Sequence, residues 1–359
     1  MSAYPVLKPG VNFIVEHNAE SSSALVGTTN FGVRLSGHSA ILFLQKLDGV
    51  RELNEIINEI GISNNQALEF LTPLIANNLL NLTSAPSIKE AEAWPDFAQQ
   101  VAIERLLPEL NTISWRKTSA PNQELLARAD KEIFILGDNR LAFALFELFQ
   151  TSGYLNSRMV TNLKGPIPAS LIGATPFRMS DIGRPLIEGQ DQVKREFGLN
   201  IGVIASKELA LKTPTNSPLN PSRIYIRTTS FPIEDLPDLI LDGESHLQIS
   251  NLTAGKIEIG PIVIPGQTPC YNCIALWKAE RSKNFASLNI TNELAAPLEL
   301  PVAAVTLISG LIVSLIDNYF ALEKSFLIGS SIVVNLLKPL EYTERFWQPH
   351  PRCGCLELL

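Results

Sequence analysis

Four cysteines occur in the 359 residues, and they fall as two tight pairs, Cys270-Tyr-Asn-Cys273 and Cys353-Gly-Cys355. Thiolates two or three residues apart at a turn can reach one metal ion. Two such pairs together make a closed tetrahedral four-thiolate site. Zn²⁺ takes that arrangement where it holds structure, because no position remains for water or substrate. The competing reading, two disulfides or four ordinary buried thiols, requires the pairing to be coincidence. His350 is a candidate substitute ligand, but its place between Pro349 and Pro351 reads as a surface histidine.

Other chemistry finds little support. No HExxH, GxSxG or P-loop pattern occurs. Glu244-Ser245-His246 lies in a polar stretch and reads as a solvated loop, since no base-orienting partner can be placed beside it. A formal charge of −7 gives no electrostatic reason to expect nucleic acid. The start, MSAYPVLKPG, lacks the basic and apolar runs of a signal peptide. The most apolar stretch, Val302 to Ile316, is interrupted by Thr306, Ser309, Gly310 and Ser314 and flanked by Glu299 and Asp317. It is short for a bilayer and reads as a buried helix with Pro301 at its start. A soluble cytosolic protein without membrane contact is expected, which favours zinc over disulfides.

The elements that must position these residues fall into an N-terminal unit, residues 1–83, a polar connector with one or two helices, 84–130, and an α/β unit, 131–359. In the first, Val11 to Glu16, Ala24 to Gly27 and Phe31 to Leu35 look like three short strands. Three helical patterns follow. Ala40 to Leu47 ends at Asp48-Gly49. Arg51 to Ile60 stops at Gly61. The third opens on a capping box, Ser63 with Gln66, and carries Leu68, Leu71, Ile75 and Leu79. Pro73 is expected to kink or split that helix. This order suggests a winged helix-turn-helix. Its helical part holds Asp48, Glu52, Glu55, Glu59 and Glu69 against Lys46 and Arg51, the wrong sign for a recognition helix among phosphates.

From Lys131 the pattern changes. Glu132 to Gly137 is a buried strand ending in glycine, Arg140 to Gln150 a helix, and Tyr154 to Thr161 the next strand. Ile201 to Ala205, Arg223 to Arg227 and Ile257 to Ile264 read as further strands. Ser331 to Leu337 and Glu341 to Trp347 read as an antiparallel pair leading to the second cysteine pair. Strand, glycine turn, helix and strand begin a doubly wound sheet.

Three runs, GPIVIPGQTPCYNC, LPVAAVTLISGLIVSLID and HPRCGC, resemble the docking subunit of thiazole/oxazole-modified peptide (TOMM) biosynthesis. The resemblance implies a degenerate ThiF-like domain with a structural four-cysteine zinc site. A winged-helix element precedes it, LDGVRELNEI included, that binds the leader of a ribosomally made precursor peptide. In that family the leader adds as a strand beside the third strand and packs on the third helix, a β-augmentation. Carried over, Phe31, Val33, Arg34 and Leu35 supply the strand, and Gln66, Phe70 and Asn77 fall on the groove side of the helix. Phe70 capping the small core is the alternative. The resemblance further implies a separate YcaO cyclodehydratase as partner, since no room for one follows Cys355, with a flavin dehydrogenase and a homodimer as further associations. Proline at Val33 would weaken leader binding if the Val33 N–H faces the peptide.

The same resemblance says where ATP would sit in an active relative, and the residues depart from it. The turn is Gly137-Asp-Asn-Arg-Leu-Ala142, keeping only the first glycine of GxGxxG and placing Asp138 where phosphate would go. Arg140 beside it reads as a helix-surface arginine, with an anion contact as the alternative. The second strand ends in Met159-Val-Thr-Asn162 without the expected acid. Val203-Ile-Ala-Ser206 lacks the aspartate expected of a later strand. ATP binding and catalysis by this chain are not expected. An active adenylating enzyme for a sulfur carrier or peptide C-terminus is the enzymatic alternative, and a metal-dependent DNA binder the regulatory one.

Overall fold

The computed structural model describes residues 3–18, 21–83, 97–116, 121–161, 163, 165–186, 188, 202–205, 223–228, 243–250, 252–282, 284–285, 299–322, 326–338 and 341–356. The chain divides into two units, Met1–Ala127 and Arg128–Leu359.

In the first unit, β1 (Tyr4–Leu7) pairs antiparallel with β5 (Leu80–Thr83), closing the ends of the first 83 residues on each other. Between them β2 (Asn12–Asn18), β3 (Ser21–Gly27) and β4 (Gly32–Ser36) form an antiparallel meander with β4 at its edge. Alternation sets the faces. Val15, Ala24 and Leu35 are aligned on the core side, as are Phe13, Val26 and Val33, while Ile14, Leu25 and Arg34 point the other way. The helices are α1 (His38–Gln45), α2 (Leu53–Ile60) and α3 (Asn64–Ala76). A Glu52/Glu55 capping box opens α2, and Gly61 closes it at φ 73°, a left-handed conformation that costs glycine little. The Ser63/Gln66 box opens α3 as expected.

For α3, a split at Pro73 and the expected buried stripe are corrected. The helix runs through Pro73 unbroken. Pro73 cannot donate to the carbonyl of Glu69, but Glu69 is exposed, so water can take that bond. The buried stripe is Ala67, Leu71 and Leu74, whereas Leu68 and Ile75 are 59% and 46% exposed. Phe70 is half-buried with its ring 5.6 Å from that of Phe43.

The connector, expected to hold one or two helices, carries α4 (Phe97–Ile113) and α5 (Pro121–Ala127). The end of α4 is tied to the first strands. Asn81 Nδ2 donates to the Ser114 carbonyl at 3.2 Å and Trp115 Nε1 to that of Pro9 at 3.1 Å. Buried Lys8 donates to Asn78 Oδ1 at 2.6 Å and lies over the Trp115 ring. The boundary between the units accordingly falls after Ala127.

The second unit is built on an eight-stranded sheet of β6 (Glu132–Leu136), β7 (Ser157–Thr161), β8 (Gly202–Ala205), β9 (Arg223–Arg227), β10 (His246–Ile249), β11 (Lys256–Val263), β12 (Ser330–Asn335) and β13 (Tyr342–Phe346). Its order is β13-β12-β11-β10-β9-β6-β7-β8, parallel from β10 to β8 and antiparallel from β10 to β13. The chain steps outward from β6 to β8, then returns to lay β9 on the other side of β6. That reversal between β6 and β9 is the switch point of a doubly wound sheet. One face, with Ile133, Ile135, Met159, Ile224 and Leu247, shares a continuous core with α6 (Arg140–Thr151) and α8 (Val302–Leu322). On the other, Phe134, Leu136, Val160 and Tyr225 pack with Tyr271 of α7 (Tyr271–Arg281).

The helix expected at Pro301 is present. Val305, Ile308, Ile312, Ile316 and Tyr319 of α8 recur at helical spacing and are buried. Among the described residues, α8 is the one helix long and apolar enough to cross a membrane, yet this stripe belongs to the main core.

Candidate functional sites

Cys270 is the N-cap of α7, so Cys273 stands one turn along the same helix. Cys353 and Cys355 come from a turn in which Gly354 has φ 69° and Cys353 N donates to the His350 carbonyl. The antiparallel β12–β13 pair, which bears out the expected hairpin, carries that turn to α7. All four Sγ atoms lie within 4.8 Å of one another, with Cys270–Cys353 and Cys273–Cys355 at 3.4 Å and Cys270–Cys273 at 3.9 Å. A disulfide needs about 2.05 Å. Four sulfurs about 2.3 Å from one ion stand roughly 3.8 Å apart, so the spacing is that of a single tetrahedral ion. These four residues can therefore hold a metal ion.

Electrostatics agree with a site completed by a cation. Burial pushes the Cys270 thiol far up and the Cys273 thiol to about 11. Burial also acts to raise Cys353, but hydrogen bonds from Cys270, from Asn272 (Nδ2 to Sγ 3.2 Å) and from Cys273 outweigh it and lower its pKa. A metal ion must displace the remaining protons, which makes its binding pH-dependent.

His350 is not on the surface as expected. It is buried against Trp277, with ring centroids 4.6 Å apart. Its Nδ1 accepts from Arg352 N at 3.2 Å and its Nε2 meets Glu280 Oε1 at 3.1 Å, so both nitrogens are engaged away from the sulfurs. Glu258 adds a second clasp, receiving Lys278 of α7, Arg345 of β13 and Ser331 Oγ of β12.

Glu244-Ser245-His246 is likewise not a solvated loop. It leads into β10 in mid-sheet and is buried, His246 completely. Glu244 pairs with Arg223 at 2.8 Å, and His246 Nδ1 lies 2.9 Å from the Glu244 carbonyl. Strand pairing between β9 and β11 overrode the polar local composition. Burial, partly offset by that carbonyl, lowers the His246 pKa from 6.5 to about 4. The unfolded chain therefore binds the proton first, and stability present above pH 6.5 is lost as the pH falls toward 4. The loss should reach about 3 kcal/mol. It is read as a falling thermal midpoint in acid, a slope that His246→Gln should flatten.

At the switch point, Gly137 N bonds the Val160 carbonyl. Asn139 caps α6 through Oδ1 to Ala142 N at 2.9 Å. Asp138 accepts from Thr161 Oγ1 and Leu163 N. Arg140 Nη1 donates to the Leu300 carbonyl at 2.9 Å, and Arg140 N to Glu299 Oε2 at 3.2 Å. Topology also corrects which later strand matters. β8 lies at the sheet edge, while β9 flanks β6 and ends in buried Arg227 and Thr228, again without an aspartate.

In the first unit, the residues singled out in the sequence divide by what they expose. Phe31 is 45% exposed, Val33 half-buried, and Leu35 lies in the core, so Leu35 offers backbone alone. Arg34 turns to the opposite face and pairs with Glu16 at 2.9 Å. Gly37 N bonds Ser22 O and Thr28 N bonds Phe31 O. With the β3–β4 register, those bonds aim the N–H groups of Val33 and Leu35 inward at β3, and those of Gly32, Arg34 and Ser36 outward at the free edge. On α3, Gln66, Phe70 and Asn77 share one flank. Gln66 is spent on its capping box, and Asn77 Nδ2 bonds the Pro73 carbonyl. Exposed Leu68 and Ile75, which the sequence reading put in the core, mark the other flank.

No protein-family model matches the chain, and no curated protein is detectably similar in sequence. Solved structures are similar in fold. Escherichia coli MccB with AMPCPP and MccA superposes with a TM-score of 0.63 over 99% of both chains at 13% identity. The microcin C7 biosynthetic enzyme MccB in complex with N-formylated MccA gives 0.63 over 99% of this chain and 100% of that one at 14% identity. PaaA gives 0.57 over 81% of this chain and 95% of that one at 12% identity. The fold is that of the MccB structures, a mixed α/β architecture.

Proposed function

We propose that this chain is a non-catalytic cytosolic subunit of ribosomal peptide modification. It captures the leader of a precursor peptide and presents the core to a separate YcaO cyclodehydratase for azoline formation. A flavin dehydrogenase then oxidises azolines to azoles. Residues 1–83 act as a winged-helix recognition element, 84–130 as connector, and 131–359 as a degenerate ThiF-like domain in a homodimer. The observation that carries the reading is the outer edge of β4, free of a strand partner among the described residues. Outward N–H groups of Gly32, Arg34 and Ser36 stand there on a strand that contacts α3. An extended peptide gains affinity from those main-chain bonds and selectivity from pockets around Phe31, Val33 and Phe70. Mechanistically the gain is proximity, since a bound leader raises the effective concentration of the core at the partner's active site. MccB structures with bound MccA support a peptide client for this fold.

The four cysteines fit Zn²⁺, with Cys270, Cys273, Cys353 and Cys355 as ligands. When bound, the ion cross-links α7 to the C-terminal turn and supplies no open coordination position. Reconstitution with the YcaO enzyme and precursor tests the reading. ATP consumption and water loss from the core should need both proteins and a leader-bearing substrate. Full turnover by the YcaO enzyme alone would overturn it.

One observation favours a second reading, an active adenylating enzyme. The chain matches MccB over nearly its whole length, and MccB is also solved with ATP. Against it stand Asp138 in the turn and Arg227-Thr228 at the end of β9. ATP–pyrophosphate exchange by the purified chain would decide for the enzyme.

A further inference from the structure

The head of α6 lies at the switch point between β6 and β9, where doubly wound sheets seat phosphate groups on backbone N–H donors and the positive end of a helix. Here a carboxylate of the chain itself meets the head of the helix. Glu299 Oε2 accepts from Arg140 N, the first residue of the helix, at 3.2 Å. The Arg140 guanidinium reaches over to hold the next carbonyl, Leu300 O, at 2.9 Å. Helix and acidic segment are thus latched twice, once through backbone and once through side chain. Glu299 remains exposed to solvent; its partial burial raises the carboxyl pKa, and the hydrogen bond and charge of Arg140 only partly offset this.

We infer that Glu299 is an internal plug, an autoinhibitory contact whose carboxylate takes the place a nucleotide phosphate would fill. This rests on the reading of the chain as a non-nucleotide subunit and names the feature that enforces it. The absence of ATP binding then follows from occupancy by a like charge, in addition to the missing glycines. A phosphate approaching α6 must displace Glu299 from Arg140 N or share the N-terminus with a second anion.

Titration calorimetry with Mg-ATP tests the plug on four full-length proteins: wild type, Glu299→Ala, Glu299→Gln and Asp138→Asn/Glu299→Ala. Thermal midpoints confirm that each is folded. The wild type should give no saturable heat at millimolar nucleotide. Both single variants should gain measurable binding, tighter by about tenfold, the size of one charge-assisted contact. No binding by any folded variant overturns the plug and leaves the non-nucleotide reading standing. Binding that appears only in the double variant shows that removing Glu299 does not by itself open the site and likewise overturns the plug. Saturable binding by wild type that Glu299→Ala leaves unchanged overturns both.

Discussion

Cys273→Ser is expected to release the bound metal ion and drive the protein into aggregates. Cys273 is fully buried, its Sγ 3.4 Å from that of Cys355 and 3.9 Å from that of Cys270. A serine hydroxyl cannot replace a thiolate on Zn²⁺. The three remaining sulfurs would then sit as buried polar groups around an incomplete site. In zinc-finger peptides a structural site is worth on the order of 10 kcal/mol, comparable to the whole stability of a domain. The clasps through Glu258 and Glu280 involve partly exposed pairs, each contributing far less, so they should not rescue the C-terminal turn. Metal analysis should find one ion per wild-type chain and none per Cys273→Ser chain. A soluble variant with an unchanged thermal midpoint would overturn the structural role of the metal.

Arg34→Pro should abolish most of the affinity for precursor peptide while leaving the metal content intact. Proline removes the outward N–H of Arg34, the central donor on the free edge, and its ring crowds an incoming strand. Arg34→Ala keeps the N–H and loses only an exposed ion pair with Glu16, so it should bind nearly as the wild type does. A loss of at least about 1.5 kcal/mol, or roughly tenfold in Kd, is expected for proline relative to alanine. Val33→Pro is the poorer probe, because its N–H points into the sheet and its loss unpicks β3 from β4. Equal affinity of Arg34→Pro and Arg34→Ala would contradict strand addition at β4.

The four-cysteine cluster and the folding of both units were legible where chemistry or periodicity is local. Cysteine spacing alone identified the four sulfurs that the fold assembles, although 80 residues separate Cys273 from Cys353. Capping boxes and glycine stops located α2 and α3, and buried apolar runs located β6, β9 and β11. What failed depended on partners distant in sequence. β1 and β5 are short, carry little alternation and exist because they pair with each other. His246 and His350 are buried by strand β9 and by Trp277, neither of which their neighbours in sequence announce. Leu68 and Ile75 fit a helical stripe, but so do Ala67, Leu71 and Leu74, and only packing decides which faces the core. The Glu299 contact with α6 joins residues 159 apart and left no local signal.

The most direct test of the leader-binding account is calorimetric titration of the chain with its precursor peptide, using leader and core halves separately. Tight binding by the leader half and none by the core half is the expected result. Binding by the core half alone, or by neither half, would contradict it.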